Sequence, residues 1–186
     1  MQAAKPLFSP SSMPLNKYAP QAATHRRTQS AILEGAKQLI ATVGLAKMSM
    51  IEIADTSQVS RATLYNHYRD KDSVLAALCD SEIRKLVVIA QSAPNPTAAL
   101  EALSIQVSSD SALANMRISD PASLTQFLSA TSHPLWNQFN DALAMILGSQ
   151  IVADLATRWL AGQAMAPLTP EDSRLQAELL IPRAHL

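Results

Sequence analysis

Ile32, Ala36, Leu39, Ile40 and Val43 recur at three- and four-residue spacing, which brings side chains to one face of an α-helix. Gly44 follows directly, and a glycine there takes the left-handed conformation that closes a helix. Ser49-Met50-Ile51-Glu52 has the spacing of a capping box: the serine oxygen accepts the Glu52 amide and the Glu52 carboxylate accepts the Ser49 amide. The helix begun there can run only to about Thr56, because Ser60 is a second N-cap that opens a third short helix through Ala62, Thr63, Leu64 and Tyr65. Two short helices joined by about four residues predict a helix-turn-helix. Asp70 caps a fourth helix of roughly five turns, with an apolar stripe of Val74, Leu75, Leu78, Ile83, Leu86, Val87 and Ala90, ending before Pro94. Beyond it, Asn95-Pro96, Asp120-Pro121, His133-Pro134 and Thr169-Pro170 each announce a helix start, since proline suits the first helical position. No stretch alternates with period two, so no strand is predicted.

Composition agrees with an all-α chain. Hydrophobic residues make up 48% of the sequence but aromatics only 4%, and glycine occurs four times, so the apolar content is chiefly helix-forming Ala, Leu, Ile, Val and Met. Cys79 is the single cysteine and cannot form an internal disulfide. No run of about 18 apolar residues could span a bilayer. Residues 1–24 hold four prolines and isolated lysines but no continuous apolar core of a signal peptide, and they read as a flexible arm. A cytoplasmic protein without a membrane partner is expected.

The net charge is zero, which alone argues against a nucleic-acid partner, yet it hides an asymmetry. Met1 to Lys71 carries nine Lys/Arg against four Asp/Glu, and Asp72 to Leu186 carries six against eleven. The basic end, which coincides with the helix-turn-helix, is where phosphate would bind. A recognition helix must anchor one face and expose base-reading side chains on the other, in a groove about 12 Å wide. Ala54, Val59, Leu64 and Tyr68 would be the anchors, leaving Arg61, Thr63, Asn66 and the methyl of Ala62 toward the groove, after the Ser60 cap. Arginine can bridge guanine O6 and N7, asparagine adenine N6 and N7, and a methyl can meet the thymine methyl.

The stretch from Arg27 to Leu78 resembles the tetracycline-repressor (TetR) family. The likeness is carried by Ile53-Ala54, by Val59-Ser60-Arg61-Ala62-Thr63-Leu64-Tyr65-Asn66-His67-Tyr68 and by Lys71. It implies that Thr63, Tyr65, His67 and Lys71 touch DNA, mostly phosphates, and that Ser49 offers its hydroxyl and amide to a phosphate as well as capping its helix. The ring of Tyr65 could equally cover the helix junction. Arg26 and Arg27 lie close enough to the first helix to meet phosphates, and the preceding arm is either a minor-groove reader or a free tail. Two positions depart from the family pattern. Gln58 stands where the turn usually carries glycine, at a cost of about 1 to 2 kcal/mol if left-handed, and Ile51 is apolar where a polar or basic residue often faces DNA.

The resemblance implies a division into a flexible arm (1–24), a three-helix DNA-binding domain (25–72), a connecting helix (73–93) and a helical effector-binding and dimerisation domain (94–186). Two terminal helices from each subunit would form a four-helix bundle, for which Ile151, Leu155, Trp159, Leu175 and Leu179 are the candidates; Trp159 suits the monomer core equally well. Residues 95–147 are apolar, and Met116, Phe127, Trp136, Phe139 and Met145 either line an effector pocket or fill a core, with His133 as a polar group to orient a ligand. The function implied is a homodimeric regulator bound to a palindromic double-stranded operator, a repressor released by an apolar small molecule. A DNA-bound protein that recruits a protein partner without an effector is the alternative. An enzyme is opposed by the residue census: four isolated histidines, one cysteine, no Gly-rich phosphate loop and no metal-ligand spacing, so no catalytic residue, cofactor or metal is expected. A redox sensor at Cys79 lacks a neighbouring base in sequence.

Overall fold

The computed structural model describes residues 19–129 and 134–181, and every regular element among them is helical. Helix α1 (Ala19–Thr42) is followed by a 3-10 turn (Leu45–Lys47), α2 (Met50–Thr56), α3 (Arg61–His67) and α4 (Lys71–Gln91). The remainder is α5 (Pro96–Ser108), α6 (Ser111–Ser119), α7 (Pro121–Ser129), α8 (Pro134–Leu147), α9 (Gln150–Met165) and α10 (Pro170–Leu180). No helix among the described residues is long and apolar enough to cross a membrane.

The ends of these helices are set by short-range hydrogen bonds. At α2 both halves of the capping box are made, Ser49 Oγ accepting the Glu52 amide at 3.3 Å and Glu52 Oε2 accepting the Ser49 amide at 2.9 Å. Asp70 caps α4 through the Ser73 amide at 2.8 Å. That bond first, then the Arg69 guanidinium, hold the Asp70 carboxyl below the usual carboxylate range. Asn95 and Thr169 cap α5 and α10, each with proline in the first turn, and Pro121 and Pro134 open α7 and α8. Gly44 closes the first unit with φ 88°.

One expectation is corrected. Residues 19–24, assigned to a flexible arm, form the first turns of α1. The segment Ala-Pro-Gln-Ala-Ala-Thr is alanine-rich and places its proline where a helix tolerates one, so the basic cluster His25-Arg26-Arg27 sits on a helix rather than ahead of it. Residues 1–18 of that arm lie outside the described residues.

Two apolar clusters hold the chain together. The first joins Ile32, Ala36, Leu39 and Ile40 of α1 with Ile53 and Ala54 of α2, Leu64 of α3, Tyr68, and Val74 and Leu78 of α4. The second gathers Ile83 and Ala90 of α4 with Leu100, Leu103, Phe139, Leu143, Ala156 and Leu160. Helix α4 therefore enters both clusters, one at each end. Helix α6 also reaches across: Ala112 is buried in the first cluster, and Asn115 Nδ2 donates to the Ile40 carbonyl at 2.6 Å.

Candidate nucleic-acid interface and cavity

The α2–turn–α3 unit is built around Leu64, Ala54 and Tyr68, all buried, with Val59 half-buried against them. The turn is tied back to α2 by the Val59 amide on the Ala54 carbonyl at 3.1 Å and by Ser57 Oγ on the Ile53 carbonyl at 2.5 Å. Gln58 has φ 55°, in the left-handed region that glycine enters freely. Gln58→Gly should therefore raise the stability of this domain by about 0.5–1 kcal/mol, the strain relieved less the extra entropy of an unfolded glycine. The midpoint of urea unfolding reads it out, and an unchanged or lower midpoint would contradict it.

With one face of α3 buried, the other is open. Arg61, Ala62, Tyr65 and Asn66 are exposed, Tyr65 by 54%, and Thr63 and His67 are half-buried beside them. Ser60 caps the helix through the Thr63 amide at 3.0 Å, and its hydroxyl lies 2.7 Å from that of Thr63. The His67 ring stacks on His25 of α1 with centroids 4.2 Å apart. Partial burial, and then the charge of His25, push the His67 pKa down. Lys71 opens α4 with Nζ 3.4 Å from the Leu45 carbonyl, while Ser49, Arg26 and Arg27 are exposed. Ile51 is 46% exposed on the outer side of α2.

Below this unit lies a cavity of about 310 Å³ whose walls come from α1, α4, α5, α6, α7, α8 and α9. Met116, Phe127, Trp136 and Phe139 line it, with Trp136 5.5 Å from Phe127 and 6.4 Å edge-on from Phe139, centroid to centroid. Met145 is a correction: it is 80% exposed and absent from the lining. It lies two residues beyond the buried Leu143, about 200° around the helix, and so on the outer face of α8. His133 lies outside the described residues. Cys79 lines the wall, where burial first and the Glu82 carboxylate second push its thiol up, which leaves it a poor nucleophile.

Sequence reasoning overlooked the charged wall of this cavity. Lys37 of α1 pairs with Glu82 of α4 at 2.5 Å and with Asp110, the N-cap of α6, at 2.7 Å. Burial works against the Lys37 charge, but hydrogen bonds to Asp110 and Glu82 outweigh it and the pKa is raised. The signal was invisible along the chain because lysine at that spacing looks like any solvated helix face.

Ile151, Leu155, Leu175 and Leu179 stand uncovered on α9 and α10 in the single chain. Trp159 is half-buried against the second cluster, its Nε1 donating to Gln176 Oε1 of α10 at 2.7 Å.

Residues 32–78 match the family of bacterial regulatory proteins described as the tetR family. No curated protein sequence matches the chain. Among solved structures, the dihydroxyacetone kinase operon activator DhaS superposes with TM-score 0.59 at 16% identity, covering 82% of this chain and 93% of that one. A TetR family transcription regulator from Marinobacter aquaeolei VT8 gives 0.58 at 17% identity, covering 87% and 96%. RolR in complex with resorcinol gives 0.50 at 15% identity, covering 86% and 88%. These identities speak for the helical fold, while the domain match speaks for the DNA-binding unit. Residues 32–78 thus carry a helix-turn-helix domain that matches the tetR family of bacterial regulatory proteins, and the chain as a whole shares its helical fold with solved transcription regulators.

Proposed function

We propose that the protein binds a palindromic operator as a homodimer and that a small, largely apolar effector in the cavity sets its affinity, releasing a repressor from DNA. The observation that carries this reading is the double membership of α4: Leu78 belongs to the core of the DNA-binding unit and Ile83 to the core behind it, and both line the cavity. A ligand that prefers one tilt of α4 thereby prefers one separation of the two recognition helices, which is a population shift with differential affinity as its source. A cavity with apolar walls favours this over a regulator that only recruits a protein. RolR is solved with resorcinol bound, which supports ligand control on this fold, and DhaS is an operon activator, so the fold serves control in either direction.

In this reading Arg61, Ala62, Thr63 and Asn66 read bases, while Ser49, Ser60, Tyr65, His67, Lys71, Arg26 and Arg27 hold phosphates. The domains would be a DNA-binding unit through residue 72, a connecting helix to 93 and an effector and dimerisation unit beyond. Operator fragments selected from genomic DNA, titrated at several salt concentrations, test it. Lys71→Ala should weaken all sequences alike and flatten the salt dependence by about one unit of slope, whereas Arg61→Ala should cost about 1–3 kcal/mol on the cognate site and relax base preference. Equal losses on cognate and random DNA for both substitutions would contradict the assignment.

A further inference from the structure

The lining of the cavity carries three charged residues, Lys37, Glu82 and Asp110, against an otherwise mainly apolar wall. Their side chains are 19, 27 and 12% exposed. Each carboxylate is engaged twice. Asp110 Oδ2 takes Lys37 while Oδ1 accepts the Leu113 amide as the cap of α6. Glu82 Oε2 takes Lys37 while Oε1 takes Lys85, which is half exposed and outside the lining. Within the lining one cation, Lys37, faces two carboxylates, and Lys85 supplies the second cation from the exposed side of Glu82, outside the lining. In a site of low dielectric, a ligand carboxylate or phosphate would meet two carboxylates whose shared cation, Lys37, is already committed, and engaging Lys37 would strip the partner from Glu82 or Asp110. A donor group meets the opposite situation, because carboxylate oxygens keep lone pairs for a second hydrogen bond.

Resting on the reading of the cavity as an effector site, we infer that its ligand is an apolar-bodied molecule with an ammonium or hydroxyl head that donates to Asp110 and Glu82, and that anionic heads are rejected. The head competes with Lys37, whose ion pairs reach from α1 to α4 and to the start of α6, so the same contact that selects the ligand weakens one of the ties between the DNA-binding unit and its support.

The test is displacement of the neutral apolar dye phenylnaphthylamine from the full chain by octanol, octylammonium and octanoate, which share one hydrocarbon body. The dye is expected to bind and to be displaced by octanol and octylammonium at concentrations at least about tenfold below octanoate. The double variant Asp110→Asn, Glu82→Gln keeps the cap and the volume while removing two negative charges, and octanoate should gain at least about tenfold on octylammonium in it. Dye that binds but yields to octanoate as readily as to the others, or an order unmoved by the double substitution, overturns the head-group inference and leaves the cavity reading intact. Dye that does not bind overturns both. If the double variant does not fold, the order in the unsubstituted chain decides alone.

Discussion

Ile151→Glu combined with Leu179→Glu should give a folded monomer whose affinity for a full palindrome falls by at least about a hundredfold, to that of a single half-site. The two side chains are 81% and 85% exposed in the single chain, so charging them costs its fold little. In a two-fold dimer each substitution occurs twice across a self-complementary surface. Burying each original side chain is worth about 1.5–3 kcal/mol, so four of them amount to about 6–12 kcal/mol of association that the variant forfeits, before the cost of desolvating four carboxylates. Leu155 and Leu175, one turn from each, extend the same uncovered surface on α9 and α10. Trp159 is best left alone, since it also packs on the second core. DNA binding suffers because two recognition helices must be held about 34–36 Å apart to engage both half-sites at once. Light scattering after gel filtration and titration of full and half operators read the two effects. A variant that remains dimeric at micromolar concentration would mean that the subunits meet elsewhere.

What could be read along the chain, and what could not, divides by the distance over which the physics acts. The caps at Ser49, Ser60, Asp70 and Thr169 each satisfy an amide three residues on, so a four-residue window contains the whole interaction, and the helix starts follow. The left-handed turn at Gln58 was legible only through the family resemblance, because the residue there is not the glycine that would mark it locally. The anchors Leu64 and Tyr68 followed from period alone. Helix α1 was placed too late because the apolar stripe, which begins at Ile32, only marks where the helix starts to be buried; its earlier turns are largely exposed and leave no stripe to see. Met145 was assigned to the pocket by composition, which carries no phase, and the phase of α8 turns it outward. Lys37 was passed over because its partners stand on α4 and at the start of α6, and nothing near it in sequence distinguishes a bridging lysine from a solvated one. Long-range pairing is where a single sequence holds least information.

Gly35→Val should abolish measurable operator binding while leaving most helix content in place. Gly35 lies on α1 where the end of α2 crosses it: a Cβ at this position would fall 2.9 Å from Ser57 Cβ, 3.0 Å from the Ser57 backbone nitrogen and 3.1 Å from its Cα. Two of those atoms are main chain and cannot swing aside. The Ser57 amide and hydroxyl are both committed to the Ile53 carbonyl, so α2 and the turn must move as one body. A branched side chain therefore pushes the α2–turn–α3 unit off α1, at about 1–3 kcal/mol for overpacking, and the displacement is passed to Arg61 and Asn66 on the outer face of α3. Hydrogen-bond pairing with base edges tolerates such shifts poorly, so binding falls further than the loss of stability accounts for. Gly35→Ala, which needs only a few tenths of an ångström more, should give the same effect in milder form. Gln38→Val, on the exposed side of the same helix, controls for lost helix propensity and should leave binding unchanged. Circular dichroism paired with operator titration separates the two readouts. If Gly35→Val binds the operator as well as Gln38→Val does, then α1 does not set the position of the recognition helix.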